Sequence, residues 1–473
     1  MGLEWLSAPD YWSARFAVQH LLALAYLTAF LVAALQFRPL LGERGMTPVP
    51  RFLARVPARR SPSLFHLHYS DRTFSAVAWT GVVGSGLALV GAADLVPLWA
   101  SVLWWLLLWV LYLSIVNVGQ IWYAFGWESL LLEAGFLAVF LGPAHIAPPA
   151  VVLWLLCWLL FRVEFGAGLI KIRGDSCWRD LTALHHHHET QPLPGPLSRW
   201  FHLLPGRAHQ VEVLANHFSQ LLVPFALFGP QPVAGVAGLV VLITQGWLAL
   251  SGNFAWLNLL TITLSFATMG SWLLGPVTPS PPPLQDPPAW FAILVLAVGL
   301  AVVVLSYWPV RNMLGRGQVM NRSFNRLHLV NTYGAFGSVS RTRYEVVLEG
   351  RRGDEPWQEY GFRAKPGDPH RRPPQIAPYH LRLDWAMWFL PLAPGYGRTW
   401  LPGLLRALLR GDRQVLRLLR HDPFPGSAPD EVRALLYRYR FTTRAEHRAT
   451  GSFWARDEVT EYLPPTTPHD LGD

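Results

Sequence analysis

The stretch PLWASVLWWLLLWVLYLSIVNV, residues 97–118, carries no charged side chain and decides the class of this fold. As a helix rising 1.5 Å per residue it reaches about 33 Å, enough to cross the roughly 30 Å hydrocarbon core of a bilayer. The same texture recurs outward from it. Residues 73–161 and 208–308 contain no Lys or Arg, although the chain of 473 residues has 39. A charge at the centre of a membrane helix costs about 2.5–3.5 kcal/mol on insertion scales, so cation-free runs of this length suit lipid. Charged residues are 15% of the chain, against about 25% in a soluble protein.

Apolar runs long enough to span predict helices at 16–37, 74–95, 97–118, 127–147, 149–170, 213–230, 232–251, 253–274 and 288–308. The expected fold is therefore an α-helical polytopic membrane bundle of about nine transmembrane helices over 1–308. Short connections predict hairpins between the second and third spans and between the seventh and eighth. Pro-rich 276–287 cannot continue a helix and reads as a loop. The first apolar run follows Glu4 and Asp10 and is long enough to span, which does not resemble a cleaved signal peptide.

The cations report topology. Seven Arg lie in 38–73, five Lys or Arg in 171–212, and 25 basic residues at Arg311 or later. An even number of expected spans separates each basic segment from the next, which puts all three on one face, cytoplasmic by the positive-inside rule. The formal charge of +9 fits this retention of Lys and Arg, and no nucleic-acid motif accompanies it.

Residues 309–473 carry 25 basic and 17 acidic side chains and read as a soluble C-terminal domain, α+β or β-sandwich-like. Strands are expected at 343–350, 355–362 and 434–442. Residues 404–420 have Leu at helical spacing with Arg between, a helix packed on the domain's own sheet or a basic amphipathic helix on anionic lipid.

The densest polar chemistry lies in 161–205. Lys171, Arg173, Asp175, Arg179, Asp180, His185–His188 and Glu189 fall within nineteen residues. Consecutive histidines point in different directions and show no metal-ligand spacing, so no metal is expected. His187 beside Glu189 is chemically able to act as an acid/base pair. The plainer reading is a loop folded by mutual salt bridges. Intramembrane Glu128, Glu133, Arg162 and Glu164 need partners, and their depths let Arg162 pair with either of the first two. Cys157 and Cys177 suggest neither a disulfide framework nor a zinc site.

Four blocks give the chain a family likeness: QFRPLLGERGMTPVP (36–50), WESLLLEAGFLAVF (127–140), FGAGLIKIRGDSCWRDLTALHHHHETQP (165–192), and NTYGAFGSVSRTRYEVVLEG continuing to HLRLDWAMWFLPL (331–392). They resemble the lipase maturation factors, with a weaker likeness to the transmembrane part of vitamin K-dependent carboxylases. The motif positions are Gly168, Lys171, Arg173, Gly174, Asp175, Cys177, Trp178, Arg179, Asp180, His187, Glu189, Thr190, Gln191 and Pro192, then Asn331, Tyr333, Gly334, Phe336 and Gly337. The family loop usually has Cys at Ala183, an aromatic at His186, Tyr at His188 and Asn at Gly195. The missing Cys speaks against thiol chemistry there.

The resemblance implies a membrane-bound maturation factor for secreted lipases or other exported clients, contacting the client through 309–473, with no cofactor. It implies the endoplasmic reticulum membrane in a eukaryote. The Arg-rich, compact chain looks like a bacterial member, for which the inner membrane is expected. The alternative is a membrane-embedded enzyme in which Lys171, Arg173, Asp175, His187 and Glu189 line one pocket with Glu128, Glu133 and Arg162. Partners expected are membrane lipids and a client protein, and no nucleic acid.

Overall fold

A computed structural model describes residues 3–471. The helices that build the bundle are α1 (Trp12–Leu41), α2 (Asp71–Leu89), α3 (Leu98–Val118), α4 (Gly126–Ala138) and α5 (Ala150–Arg173). They continue with α6 (Leu184–Thr190), α7 (Gly206–His217), α8 (Val233–Ser251), α9 (Leu257–Phe266) and α10 (Ala289–Leu305). Nine spans were expected. Among the described residues five helices are long and apolar enough to cross, Pro9–Leu41, Leu98–Val118, Ala150–Arg173, Val233–Ser251 and Ala289–Leu314. A sixth counts if Leu257–Phe266 and Ser271–Val277, bent by 109°, form one broken span.

Each shortfall has a local cause. Helix α4 has 13 residues, about 20 Å of rise, before the chain turns at Gly142 with φ 76° and meets Pro143. Between 213 and 230, Pro224 lacks an N–H and its ring opposes the carbonyl four residues back. The helix loosens there into a π-turn over Phe218–Leu222. Helix α2 forms but carries Asp71, Arg72 and three glycines. Gly81 earns its place, since a Cβ there would sit 2.3 Å from the Phe30 ring of α1.

Outward-facing side chains on α10, such as Ile293, Leu300 and Val303, are exposed and apolar, as lipid contact requires. Inside, α4 is buried at every position but Phe136.

The turns collect at two ends. At one, Ser7 Oγ donates to Asp286 at 2.7 Å, Arg15 meets Asp94 at 2.7 Å, and the Ala147 N–H donates to the Gln285 carbonyl at 2.9 Å. At the other, Gln36 donates to the His380 carbonyl at 2.8 Å, Asn117 to that of Pro62 at 2.8 Å, and Gln191 to that of Ser251 at 2.8 Å.

The C-terminal region holds one four-stranded antiparallel sheet, order β2-β1-β3-β4, from β1 (Arg343–Arg351), β2 (Gln358–Glu359), β3 (Glu431–Phe441) and β4 (Trp454–Thr466). Among the described residues no second sheet packs on it, so the α+β form holds and the sandwich does not. Helices α11 (Arg382–Phe389) and α12 (Leu401–Leu409) cover it. Leu404, Leu405, Leu408 and Leu409 of α12 are buried, so the leucine face expected over 404–420 packs inward rather than on lipid. The strand expected at 355–362 shrinks to two residues. The longest strand, β4, was not foreseen. Its RDEVTE run and paired prolines suit an exposed edge.

Candidate functional site

The buried acids of α4 are the starting point. Arg162 of α5 forks onto Glu133, pairing through Nη2 with Oε1 and reaching Oε2 from Nη1 at 3.3 Å. Glu133 Oε2 also accepts the Asn331 N–H at 2.9 Å, the Asn331 side-chain amide at 2.9 Å and the Tyr333 hydroxyl at 2.8 Å. One turn and a half earlier, Glu128 accepts from the Tyr112 hydroxyl and from Arg382 Nη1 at 2.8 Å. Glu164 accepts from Gln245 at 2.7 Å, which in turn accepts from Asn258 at 2.8 Å. Buried charge thus comes with partners, as low dielectric demands.

The residues of 165–192 reach different neighbours. Lys171 donates to Asn216 at 2.9 Å and Gln220 at 2.8 Å, over the Trp178 ring. Arg173 donates to the carbonyls of Met313 at 2.7 Å and Gly315 at 3.1 Å. Asp175 caps the turn Ser176–Arg179, accepting the Cys177 N–H at 3.1 Å, and pairs with Arg341 at 2.7 Å. Hydrogen bonds from Arg341 hold its carboxyl well below the usual range, helped by the N–H groups of Cys177 and Val339. Trp178 donates to the Phe336 carbonyl at 2.8 Å and Arg179 to that of Ile172 at 2.8 Å, while Asp180 is exposed. Cys177 is buried and free.

His187 is buried against Phe254 and Phe336, and that burial keeps it neutral by lowering its pKa to about 3. Glu189 accepts the Phe441 N–H of β3 at 2.7 Å, and burial raises its pKa. Thr190 and Gln191 offer hydrogen bonds to the His186 and His188 carbonyls at 3.0 Å each, and the Pro192 carbonyl accepts from Arg343 at 3.0 Å. The glycines permit close approach. A Cβ on Gly174 would stand 2.2 Å from the Gly337 carbonyl, one on Gly168 2.8 Å from Leu221, and ones on Gly334 and Gly337 2.9 Å from Met320 and Ile170.

The five residues proposed as an enzyme pocket therefore point to separate partners. Lys171 and His187 share no hydrogen bond but are buried near enough for the Lys171 charge to act on the imidazole, and Arg173, Asp175 and Glu189 clamp chain segments. A concavity of about 590 Å³ lies elsewhere, lined by Arg38, Glu43, His68, Ser70, Asp71 and Arg72.

Sequence reading missed several members of these networks. Arg382, Arg341 and Arg343 enter the sequence reading as part of the count of 25 basic residues in the C-terminal region. His209 and Glu212, three apart on α7, lie within ligand distance of His188, with the three ligating atoms all within 4.8 Å of one another. The expectation of no metal rests on the histidine run and the two cysteines and leaves His209 and Glu212 out. The H-x-x-E spacing 209–212 was the available signal, because residues three apart share a helix face.

Two family profiles match the chain. Residues 13–274 match the lipase maturation factor transmembrane domain and 329–464 the lipase maturation factor C-terminal domain. Lipase maturation factor 1 of Bos taurus is 41% identical over 98% of this chain and 91% of its own length. The Homo sapiens protein of that name is 40% identical over 98% and 90%. Lipase maturation factor 2 of Gallus gallus is 29% identical over 94% and 80%. No solved structure matches. These relatives are vertebrate proteins rather than the bacterial ones the composition suggested, and the carboxylase likeness finds no support in them. With both profiles matched in order and the likeness running nearly end to end, the chain belongs to the lipase maturation factor family.

Proposed function

We propose that the protein is a membrane-bound maturation factor that assists the folding and assembly of secreted lipases, with residues 309–473 facing the client and 1–308 forming the membrane part. The observation that carries this is 41% identity over 98% of the chain to a lipase maturation factor, spanning both regions. The polar residues of 165–192 support it too. Arg173, Asp175, Trp178 and Glu189 among them spend their hydrogen bonds holding the C-terminal region to the bundle, as a binding scaffold needs. In a eukaryotic cell the membrane would be that of the endoplasmic reticulum, and in a bacterium the inner membrane. The test is expression in cells lacking their own maturation factor, together with a dimeric secreted lipase. Secreted activity per unit of lipase protein should rise with lipase transcript constant. Unchanged activity beside normal membrane accumulation of the factor would refute the proposal.

We also infer nine passes through the membrane. The five long helices all run from the end holding Arg15, Asp94 and Gln285 towards the end holding His380 and Gly337. Four returns would then be made by α2, α4, 206–226 and 257–277: α4 is short and shielded inside protein, 257–277 is bent, and α2 and 206–226 present Trp79, Val83, Phe218 and Leu222 outward as apolar surface. Reporter fusions after Arg60 and Arg199 should report one compartment. Opposite compartments would refute it.

A further inference from the structure

We propose that His188, His209 and Glu212 form a divalent transition-metal site suited to zinc. His188 projects from α6, and His209 and Glu212 lie one turn apart on α7. Glu212 Oε2 is 3.1 Å from His209 Nδ1 and 3.8 Å from His188 Nε2. Tetrahedral ligands about 2.0–2.2 Å from zinc stand roughly 3.4 Å apart, so these separations bracket the spacing a zinc ion imposes. The third pair lies within 4.8 Å and closes by rotation of the imidazoles.

An independent observation points the same way. His188 is 2% exposed, and neither of its ring nitrogens has a hydrogen-bond partner. Buried polar atoms are normally satisfied, and a metal would satisfy Nε2. The outer contacts are also those of a metal centre. Trp247 Nε1 donates to Glu212 Oε1 at 2.8 Å, leaving Oε2 for the ion, and His209 Nε2 stands 3.4 Å from the His202 carbonyl, leaving Nδ1. Ligating histidines and carboxylates characteristically carry such second contacts. Two imidazoles and a carboxylate leave a fourth position for water. The ion would pin α6 to α7, and through Glu189 and Gln191 it would fix the seat of the C-terminal sheet.

The experiment uses tag-free full-length protein in nanodiscs, stripped with chelator and dialysed against zinc. Metal analysis should give roughly one zinc per chain. His188→Tyr and Glu212→Gln should lose it, Trp247→Phe should bind about 10–100-fold more weakly, and His186→Ala should bind as wild type. Absence of zinc from the wild type, or equal zinc in His188→Tyr and Glu212→Gln, overturns the proposal. Cobalt substitution of the wild type needs no variant. Intense visible bands of tetrahedral cobalt support the site, and only the weak bands of octahedral cobalt overturn it.

Discussion

Arg382 of the sheet domain places Nη1 2.8 Å from Oε1 of Glu128 in the buried helix α4, with both side chains at most 1% exposed. The pair is a buried tie between the two halves of the chain, and the Arg382 guanidinium also lies over the Tyr123 ring. Glu128→Gln leaves a buried cation without its counter-charge, a loss of about 3–5 kcal/mol. The thermal unfolding midpoint in detergent should drop sharply. Combining it with Arg382→Met should recover part of the loss, and a double variant no better than Glu128→Gln would show that the pairing is not the cause.

Gly166 of α5 faces the Asn331–Tyr333 segment so closely that a Cβ would stand 2.5 Å from the Tyr333 carbonyl. Gly166→Ala should cost about 1–3 kcal/mol by overpacking. Unfolding followed by Trp fluorescence is the check, and an unchanged midpoint would mean that the segment shifts freely.

His380 is buried among Phe125, Trp127, Trp256 and Trp385, with neither ring nitrogen hydrogen-bonded. Burial, reinforced by the Arg382 charge, holds its pKa well below 6.5, and burial holds that of His328 at about 4. Below about pH 6.5 the unfolded chain binds protons that the folded chain refuses. Stability should therefore fall as pH drops from 6.5 towards 4 and be full above 6.5. In His380→Phe the slope of midpoint against pH over that window should flatten. Parallel slopes in the two proteins would assign the acid loss elsewhere.

Arg343 is buried and donates to the carbonyls of Glu189 at 2.8 Å and Pro192 at 3.0 Å, and to that of Gln191. Lysine is a point charge without the planar fork. Arg343→Lys leaves at least one buried carbonyl unsatisfied, at about 1–3 kcal/mol. Amide exchange across 186–195 should accelerate relative to the sheet, and equal protection would remove the strut from the account.

Much of this was legible in the chain. Spans at 97–118, 149–170 and 232–251 match Leu98–Val118, Ala150–Arg173 and Val233–Ser251 within a few residues, because apolar runs with hard ends leave helices little freedom. Strands β1 and β3 were legible from their β-branched and aromatic residues. Span lengths were harder to read where protein replaces lipid as the neighbour. Helix α4 is as apolar as a span but is shielded within the bundle, so its length answers to packing rather than to bilayer thickness. Hydropathy cannot see that difference. The partners of the site were hidden for another reason: Arg382 and Glu128 are 254 positions apart, and nothing local in either segment announces the other. His209 and Glu212 were readable as a spacing, yet only the fold brings His188 to them.

The order of synthesis gives the pairing across those 254 positions a further meaning. At about 5–20 residues per second, Arg382 leaves the ribosome roughly 13–50 s after Glu128. Throughout that interval the half-made bundle holds an acid whose cation does not yet exist. The last third of the chain supplies that cation and closes the first as it emerges. A protein that helps others to mature is thus itself finished late, and truncation before residue 382 removes the keystone of its membrane half as well as its soluble end.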